Sequence, residues 1–151
     1  MEFITKDVDE TIKLGYSLGE KINSGDIICL DGELGTGKTH FVKGIASALG
    51  IKEYITSPTF TIVNQYEGRI KLNHFDVYRV SDPDEISAIG FDEYIFSDAA
   101  SVIEWSKFIE ELIPEEHVNI SIEKINTDEN SRKITINYSG KRYDYIKELH
   151  I

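Results

Sequence analysis

Residues Asp26 to His40 read DIICLDGELGTGKTH, and the two halves ask for different structure. Ile27, Ile28, Cys29 and Leu30 are four consecutive apolar residues between turn formers. Such a run leaves no polar face, the pattern of a strand covered on both sides, as in parallel sheets. Gly32, Gly37, Lys38 and Thr39 then satisfy G-x-x-x-x-G-K-[ST], the phosphate-loop pattern. Glycine lets the main chain come close to an anion, and Gly35 adds another flexible point. Backbone N–H groups of such a loop, and of the helix it opens, point at phosphate oxygens. Lys38 is expected to reach the β- and γ-phosphates and the Thr39 hydroxyl to bind Mg²⁺. The placement between a buried-strand pattern and a helix pattern is what this chemistry requires.

Working outward, EFIT (2–5) suggests a short strand. Ile12, Leu14, Leu18 and Ile22 then mark a helix from Glu10 to Ile22, stopped by Asn23-Ser24-Gly25. Phe41, Val42, Ile45, Ala46 and Leu49 give the helix after the loop one apolar face, and Gly50 ends it. Residues 59–80, TFTIVNQYEGRIKLNHFDVYRV, form two strand-like halves around Glu67-Gly68 and predict a hairpin. Ser81 to Ile89 predicts a short helix, with Ser81 or Asp82 as cap and Pro83 in the first turn. AASVIEW (99–105) is a second compact apolar strand. HVNISIEKI (117–125) and KITINY (133–138) alternate apolar and polar, so they predict an antiparallel hairpin with one wet face, joined by TDENSR. YDYIKELHI (143–151) suggests a last helix. Strand, loop, helix and later strand together predict an α/β fold of P-loop NTPase-like, three-layer type. Its central sheet is expected to be mixed and partly parallel, with an antiparallel C-terminal hairpin, in one domain over residues 1–151.

Of 151 residues, 40% are hydrophobic and 28% charged, enough for a real core. Sixteen Lys and Arg against 27 Asp and Glu give a net charge of −11. That balance argues against strong autonomous binding of nucleic acid or an anionic membrane. The single cysteine, Cys29, has no internal disulfide partner and is expected to be a buried, inert strand residue. MEFITKDVDE lacks a basic region followed by an apolar stretch, and no run approaches the ~20 apolar residues of a membrane span. A cytoplasmic protein is expected. His40, His74, His117 and His150 show no metal-ligand spacing, and His40 reads as a solvated residue just inside the helix.

A phosphate loop needs an acid at the end of a neighbouring strand to hold Mg²⁺ directly or through water. Glu104 ends the most core-like run after the loop, and Asp76 lies in HFDVYR on a more polar strand. The pattern favours Glu104, but the two acids can share the work, one on the metal and one orienting water. In SPTFT, Ser57 and Thr59 flank Pro58 just before a strand. The Thr59 hydroxyl is placed to sense Mg²⁺ or the γ-phosphate, unless the segment is only a proline-fixed turn. Trp105, the sole tryptophan, follows Glu104 and by alternation points away from it. A small-molecule kinase is the alternative to an ATPase. Such kinases usually close an arginine-bearing lid, and Arg69, Arg79, Arg132 and Arg142 do not cluster as one. No Asn-Lys-x-Asp segment is present to read guanine.

Taken in order, GELGTGKTHFVKGIASALG, SPTFTIVNQYEG, HFDVYR and VIEWSKFIEELIP resemble the bacterial TsaE (YjeE) family of small P-loop ATPases, required for making threonylcarbamoyladenosine in tRNA. The resemblance runs from the helix at Glu10-Thr11 to the strand near Arg132. It implies ATP and Mg²⁺ as cofactors, held by Gly35, Thr36, Gly37, Lys38 and Thr39. His40 stands in that loop where family members often carry a second Thr. Lys38, Asp76 and Glu104 take catalytic roles by this resemblance, and Thr39, Glu104 and Asp76 face the metal. Thr59 falls in a switch-like loop, Trp105 beside the acid, Thr11 near the nucleotide base, and Arg132 at a basic position of the late hairpin. The implied partners are TsaB and TsaD, with TsaD performing the transfer. The resemblance further implies that ATP hydrolysis, weak alone, resets that heterodimer, and that tRNA is met only indirectly, through the complex.

Overall fold

The strand expected before the glycine loop, β2 (Ile27–Asp31), is buried at every position. The computed structural model describes residues 1–58 and 61–151. Within them β1 (Glu2–Thr5), β3 (Val63–Tyr66), β4 (Lys71–Asp76), β5 (Ala99–Glu104), β6 (Val118–Ile125) and β7 (Asp128–Tyr138) join β2 in a seven-stranded sheet of order β1-β7-β6-β2-β5-β4-β3. The pairs β6–β2, β2–β5 and β5–β4 are parallel. The pairs β1–β7, β7–β6 and β3–β4 at the two margins are antiparallel.

The apolar runs follow from this order. Ile28 and Leu30 of β2, Val102 of β5 and Leu72 of β4 share one core with α1 (Val8–Lys21) and α2 (Lys38–Ala48). Ile27 and Cys29, Ile103 and Phe75 face a second core under α3 (Pro83–Ala88), α4 (Phe91–Ile95) and the 3₁₀ turns Ser106–Leu112. Central strands covered on both faces cannot alternate. In β6, Val118, Ile120 and Ile122 are buried while Asn119 and Glu123 are exposed, because only one face is covered. The result is the expected three-layer arrangement with a mixed sheet.

Local chemistry fixes the helix ends. The Asp7 carboxylate accepts from Glu10 N at 2.9 Å, and the Glu10 carboxylate accepts from Lys6 N at 2.7 Å, so two amides at the start of α1 are satisfied. Asp82, one of the two expected caps, accepts from Asp84 N and leaves Pro83 at the head of α3. Helices α1 and α2 pack backbone to backbone. A methyl on Gly19 would lie 2.6 Å from the Ile45 carbonyl oxygen, and one on Gly44 would meet the Ile12 carbonyl and Tyr16 N.

Three local expectations change. The late hairpin turns at Asn126-Thr127, and most of TDENSR belongs to β7. Lys124 pairs with Arg132 but Ile125 with Asp128, so Glu129, Asn130 and Ser131 bulge out. The tail forms 3₁₀ turns at Lys141–Glu148 in place of an α-helix. Tyr145 Oη and Arg142 Nε both donate to the buried Asp26 carboxylate, and Ile27 N donates to Tyr143 Oη, so tertiary bonds shape that segment. Strand β4 is less polar than expected, with every position after Lys71 buried. Among the described residues no helix is long and apolar enough to cross a membrane.

Candidate functional site

The glycine loop leaves β2 at Asp31 and enters α2 at Lys38. Gly35 (φ +78°) and Gly37 (φ +104°) occupy the left-handed region that side chains with a Cβ rarely adopt. Gly37 is the N-cap of α2, with no side chain capping the first turn. The amides there keep their hydrogens for something in front of the helix. Thr36 Oγ1 donates to the Glu33 carbonyl at 2.9 Å and closes the loop on itself.

Lys38 Nζ donates to the carbonyl oxygens of Gly32 (2.5 Å) and Glu33 (2.9 Å) and lies 4.3 Å from the centre of the Trp105 ring. Burial pulls its pKa below the ordinary lysine value, opposed by the carboxylates of Glu104, Asp76, Asp31 and Glu33. The ammonium thus feels four carboxylates, but its hydrogen bonds go to neutral carbonyls.

Two of those acids end neighbouring parallel strands in direct register, Asp76 on β4 opposite Glu104 on β5. Equal register on parallel strands puts both side chains on one face. Asp76 Oδ2 accepts from Ser57 Oγ at 2.9 Å and Oδ1 from Tyr78 N at 3.0 Å. The Glu104 carboxylate, 2% exposed as a residue, meets His74 Nε2 at 2.5 Å. Trp105 (φ +62°) also has a left-handed backbone, which turns the chain sharply out of β5 and swings the indole over Lys38. Such a conformation costs a residue with a side chain about 1–2 kcal/mol. Tyr78 and Phe108 extend the indole into an aromatic row, at centroid distances of 4.6 and 5.9 Å from Trp105.

A cleft of about 500 Å³ joins these groups. Gly35, Thr36, Gly37, Lys38, Thr39, His40, Asp76, Glu104, Thr11 and Arg132 all line it. Of the expected site residues, only Thr59 lies outside the described residues. Arg132 leaves the end of the β7 bulge to donate from Nε to the Thr36 carbonyl at 2.9 Å, so it braces the loop. Thr11 turns its methyl toward Gly37, while its hydroxyl is hydrogen-bonded to Thr5 Oγ1 at 2.9 Å. Among the described residues no group of three His, Cys, Asp or Glu could hold a metal alone. The donor set suits a hard cation that keeps waters and shares phosphate oxygens, the habit of Mg²⁺.

His74 has no role in the sequence reading, because the four histidines show no metal-ligand spacing. The available signal was period-two alternation: His74 and Asp76 are two apart on a strand and must share a face. Tyr78, which lies in HFDVYR but is given no role there, and Asn130, which lies in none of the motifs, also line the cleft.

A buried parallel strand, a glycine loop, an uncapped helix and acids at adjacent strand ends place the chain in the P-loop NTPase-like α/β class of folds. The sequence profile of the family described as threonylcarbamoyl adenosine biosynthesis protein TsaE matches residues 5–134, and the chain belongs to that family. The tRNA threonylcarbamoyladenosine biosynthesis protein TsaE of Bacillus subtilis is 38% identical over 149 residues, covering 98% of this chain and 92% of the relative. The protein of that name from Treponema pallidum is 39% identical over 136 residues, covering 90% and 99%. The crystal structure of Bacillus subtilis YdiB superposes with a TM-score of 0.84 at 34% identity, covering 98% of this chain and 91% of that one.

Proposed function

We propose that this chain is a cytoplasmic, Mg²⁺-dependent ATPase that supports threonylcarbamoyladenosine formation in tRNA by binding and resetting a TsaB–TsaD complex. One observation carries the chemical part. Lys38 Nζ, the uncapped start of α2 and the carboxylates of Asp76 and Glu104 converge on one cleft. The names of the relatives carry the pathway. The net charge of −11 favours meeting tRNA through partners over holding it directly.

The loop amides and the first turn of α2 would bind the phosphate chain. Lys38 would exchange two neutral carbonyl acceptors for anionic oxygens, a stronger class of hydrogen bond. It then stabilises the negative charge that develops as the terminal phosphoryl group leaves. Thr39 with Asp76 or Glu104 would hold Mg²⁺, which would supply further charge neutralisation. The acid not on the metal orients the attacking water, and the Trp105 ring shields Lys38 from solvent.

The test is ATP binding and phosphate release by the purified chain, alone and with TsaB and TsaD. Lys38→Ala is expected to lower turnover in the complex by at least about tenfold, or ~1.4 kcal/mol of transition-state stabilisation. Unchanged turnover would sink the assignment of Lys38. A phosphorylated small molecule appearing in place of inorganic phosphate would convert the reading to a kinase. Failure to copurify with TsaB and TsaD, with and without ATP, would remove the partner claim alone.

A further inference from the structure

We propose that His74 is a positioning residue: its imidazole fixes the Glu104 carboxylate in the orientation the cleft uses. His74 is 0% exposed, in the middle of β4, and shares a face with Asp76 two residues on. Glu104 stands opposite Asp76 on β5. The His74 ring therefore lies along the same face, deeper than both acids, and its Nε2 meets Glu104 Oε2 at 2.5 Å.

The other ring nitrogen decides the tautomer. His74 Nδ1 is buried and has no hydrogen-bond partner among the described residues. A hydrogen on Nδ1 would be a buried donor with nothing to accept it, and a carboxylate beside Nε2 can only accept. The ring therefore carries a hydrogen on Nε2 and donates it to Glu104. Oε2 is occupied, and Oε1 is left for the cleft that Glu104 lines. An apolar residue would fill this β4 position without stranding Nδ1. A buried histidine that leaves one nitrogen unsatisfied calls for a reason beyond packing. Without the ring, a nearly buried carboxylate would keep an oxygen unpaired and be free to rotate. This is how an imidazole or carboxylate behind a working ligand orients it.

The catalytic weight of His74 rests on the ATPase reading above, but its geometry does not, and the experiment separates the two. His74→Leu, His74→Gln and His74→Asn are compared in the full chain with ATP and Mg²⁺. The Gln amide nitrogen reaches the position of Nε2, whereas the Asn amide stops near that of Nδ1. Leu and Asn are expected to lower kcat by about tenfold or more with the KM for ATP changed less than about threefold, and Gln to recover most of the loss. Mn²⁺ affinity of the ADP-bound chain, read by electron paramagnetic resonance, should fall in Leu and Asn and return in Gln. His74→Leu combined with Glu104→Gln should be no slower than Glu104→Gln alone, within about twofold, because the ring acts only through that carboxylate. Equal loss in Gln and Asn, or fully additive losses in the double variant, would overturn the proposal. If Leu does not fold, the Gln–Asn contrast carries the decision. Should the parent chain release no phosphate, the ATPase reading falls, and ¹⁵N-histidine NMR still judges His74. A hydrogen on Nε2 whose signal moves in Glu104→Gln sustains the geometry, and a ring whose only hydrogen is on Nδ1 overturns it.

Discussion

Replacing Gly44 by alanine sets two ordinary effects against each other, and the structure says which prevails. Gly44 lies inside α2, and glycine there is worth about 0.8–1.0 kcal/mol less than alanine on propensity alone. By that measure Gly44→Ala should stabilise. The added methyl would fall on the Ile12 carbonyl and 2.8 Å from Tyr16 N, both backbone atoms of α1. No side chain can swing aside to make room, so α1 and α2 must separate. Overpacking of this kind costs about 1–3 kcal/mol, and rigid neighbours put it in the upper half of that range. The net expectation is a loss of about 1–2 kcal/mol, or roughly 3–8 °C in Tm for a chain of this size. Urea unfolding followed by far-UV circular dichroism measures it directly. Because α2 also carries Lys38 and Thr39, ATP affinity measured by calorimetry should weaken together with stability. A variant about 1 kcal/mol more stable than the parent, as propensity alone demands, would refute the close-contact account of the α1–α2 pair.

Burial, reinforced by the charges of Asp31 and Glu110 and only partly offset by a bond from Ser106, pushes the Cys29 thiol up from 9.0 to about 12. Above pH 9 the unfolded chain loses that proton while the folded chain keeps it, so stability should fall as pH rises toward 12, by about 1.4 kcal/mol per unit. Below pH 9 the thiol contributes no slope; Cys29→Ala should flatten the alkaline limb of a stability-versus-pH curve, and a limb left unchanged would show the thiol plays no part. Arg132→Ala removes the donor to the Thr36 carbonyl. A charged hydrogen bond is worth about 1.5–3 kcal/mol, so ATP should bind about tenfold or more weakly by calorimetry, with the Gly35–Gly37 amides exchanging hydrogen faster. Trp105→Gly and Trp105→Ala lose the same ring contacts, but only the alanine keeps a strained left-handed backbone. The glycine variant should be the more stable by about 1 kcal/mol in urea, and equal stability would argue that the Trp105 conformation carries no strain.

How much of this was legible in the sequence depends on where the causes lie. β2, the glycine loop and α2 were readable because cause and effect are local: four apolar residues, glycines at fixed spacing, a helical stripe. The alternation of β6 and β7 was readable for the same reason. The Asn126-Thr127 turn was hidden, because DENSR has loop composition and only pairing with β6 makes its first residues a strand. The tail was misjudged because its shape answers to Asp26, more than 100 positions earlier in the chain. Gly15, Gly19 and Gly44 gave no warning at all. In a helix each reads as a weakness, and only the partner helix turns it into a contact.

The site shows the same division, with a functional edge. Glu104 stands out because it ends an apolar run, while Asp76 ranks second because its strand looks polar. Yet Asn73 and His74, which made β4 look polar, are wholly buried, and each bonds across to a neighbouring element. Asn73 Nδ2 donates to the Tyr94 carbonyl at 3.1 Å and ties β4 to α4 on one face; His74 ties it to Glu104 on the other. A strand that pairs both faces through polar groups gives up some hydrophobic gain, and in return it cannot slide by a residue without leaving buried donors unmatched. Register matters more here than elsewhere in the sheet, since a slip of one residue would turn Asp76 to the opposite face and separate it from Glu104. The polarity that disguised β4 as a lesser strand is therefore what holds the two acids side by side.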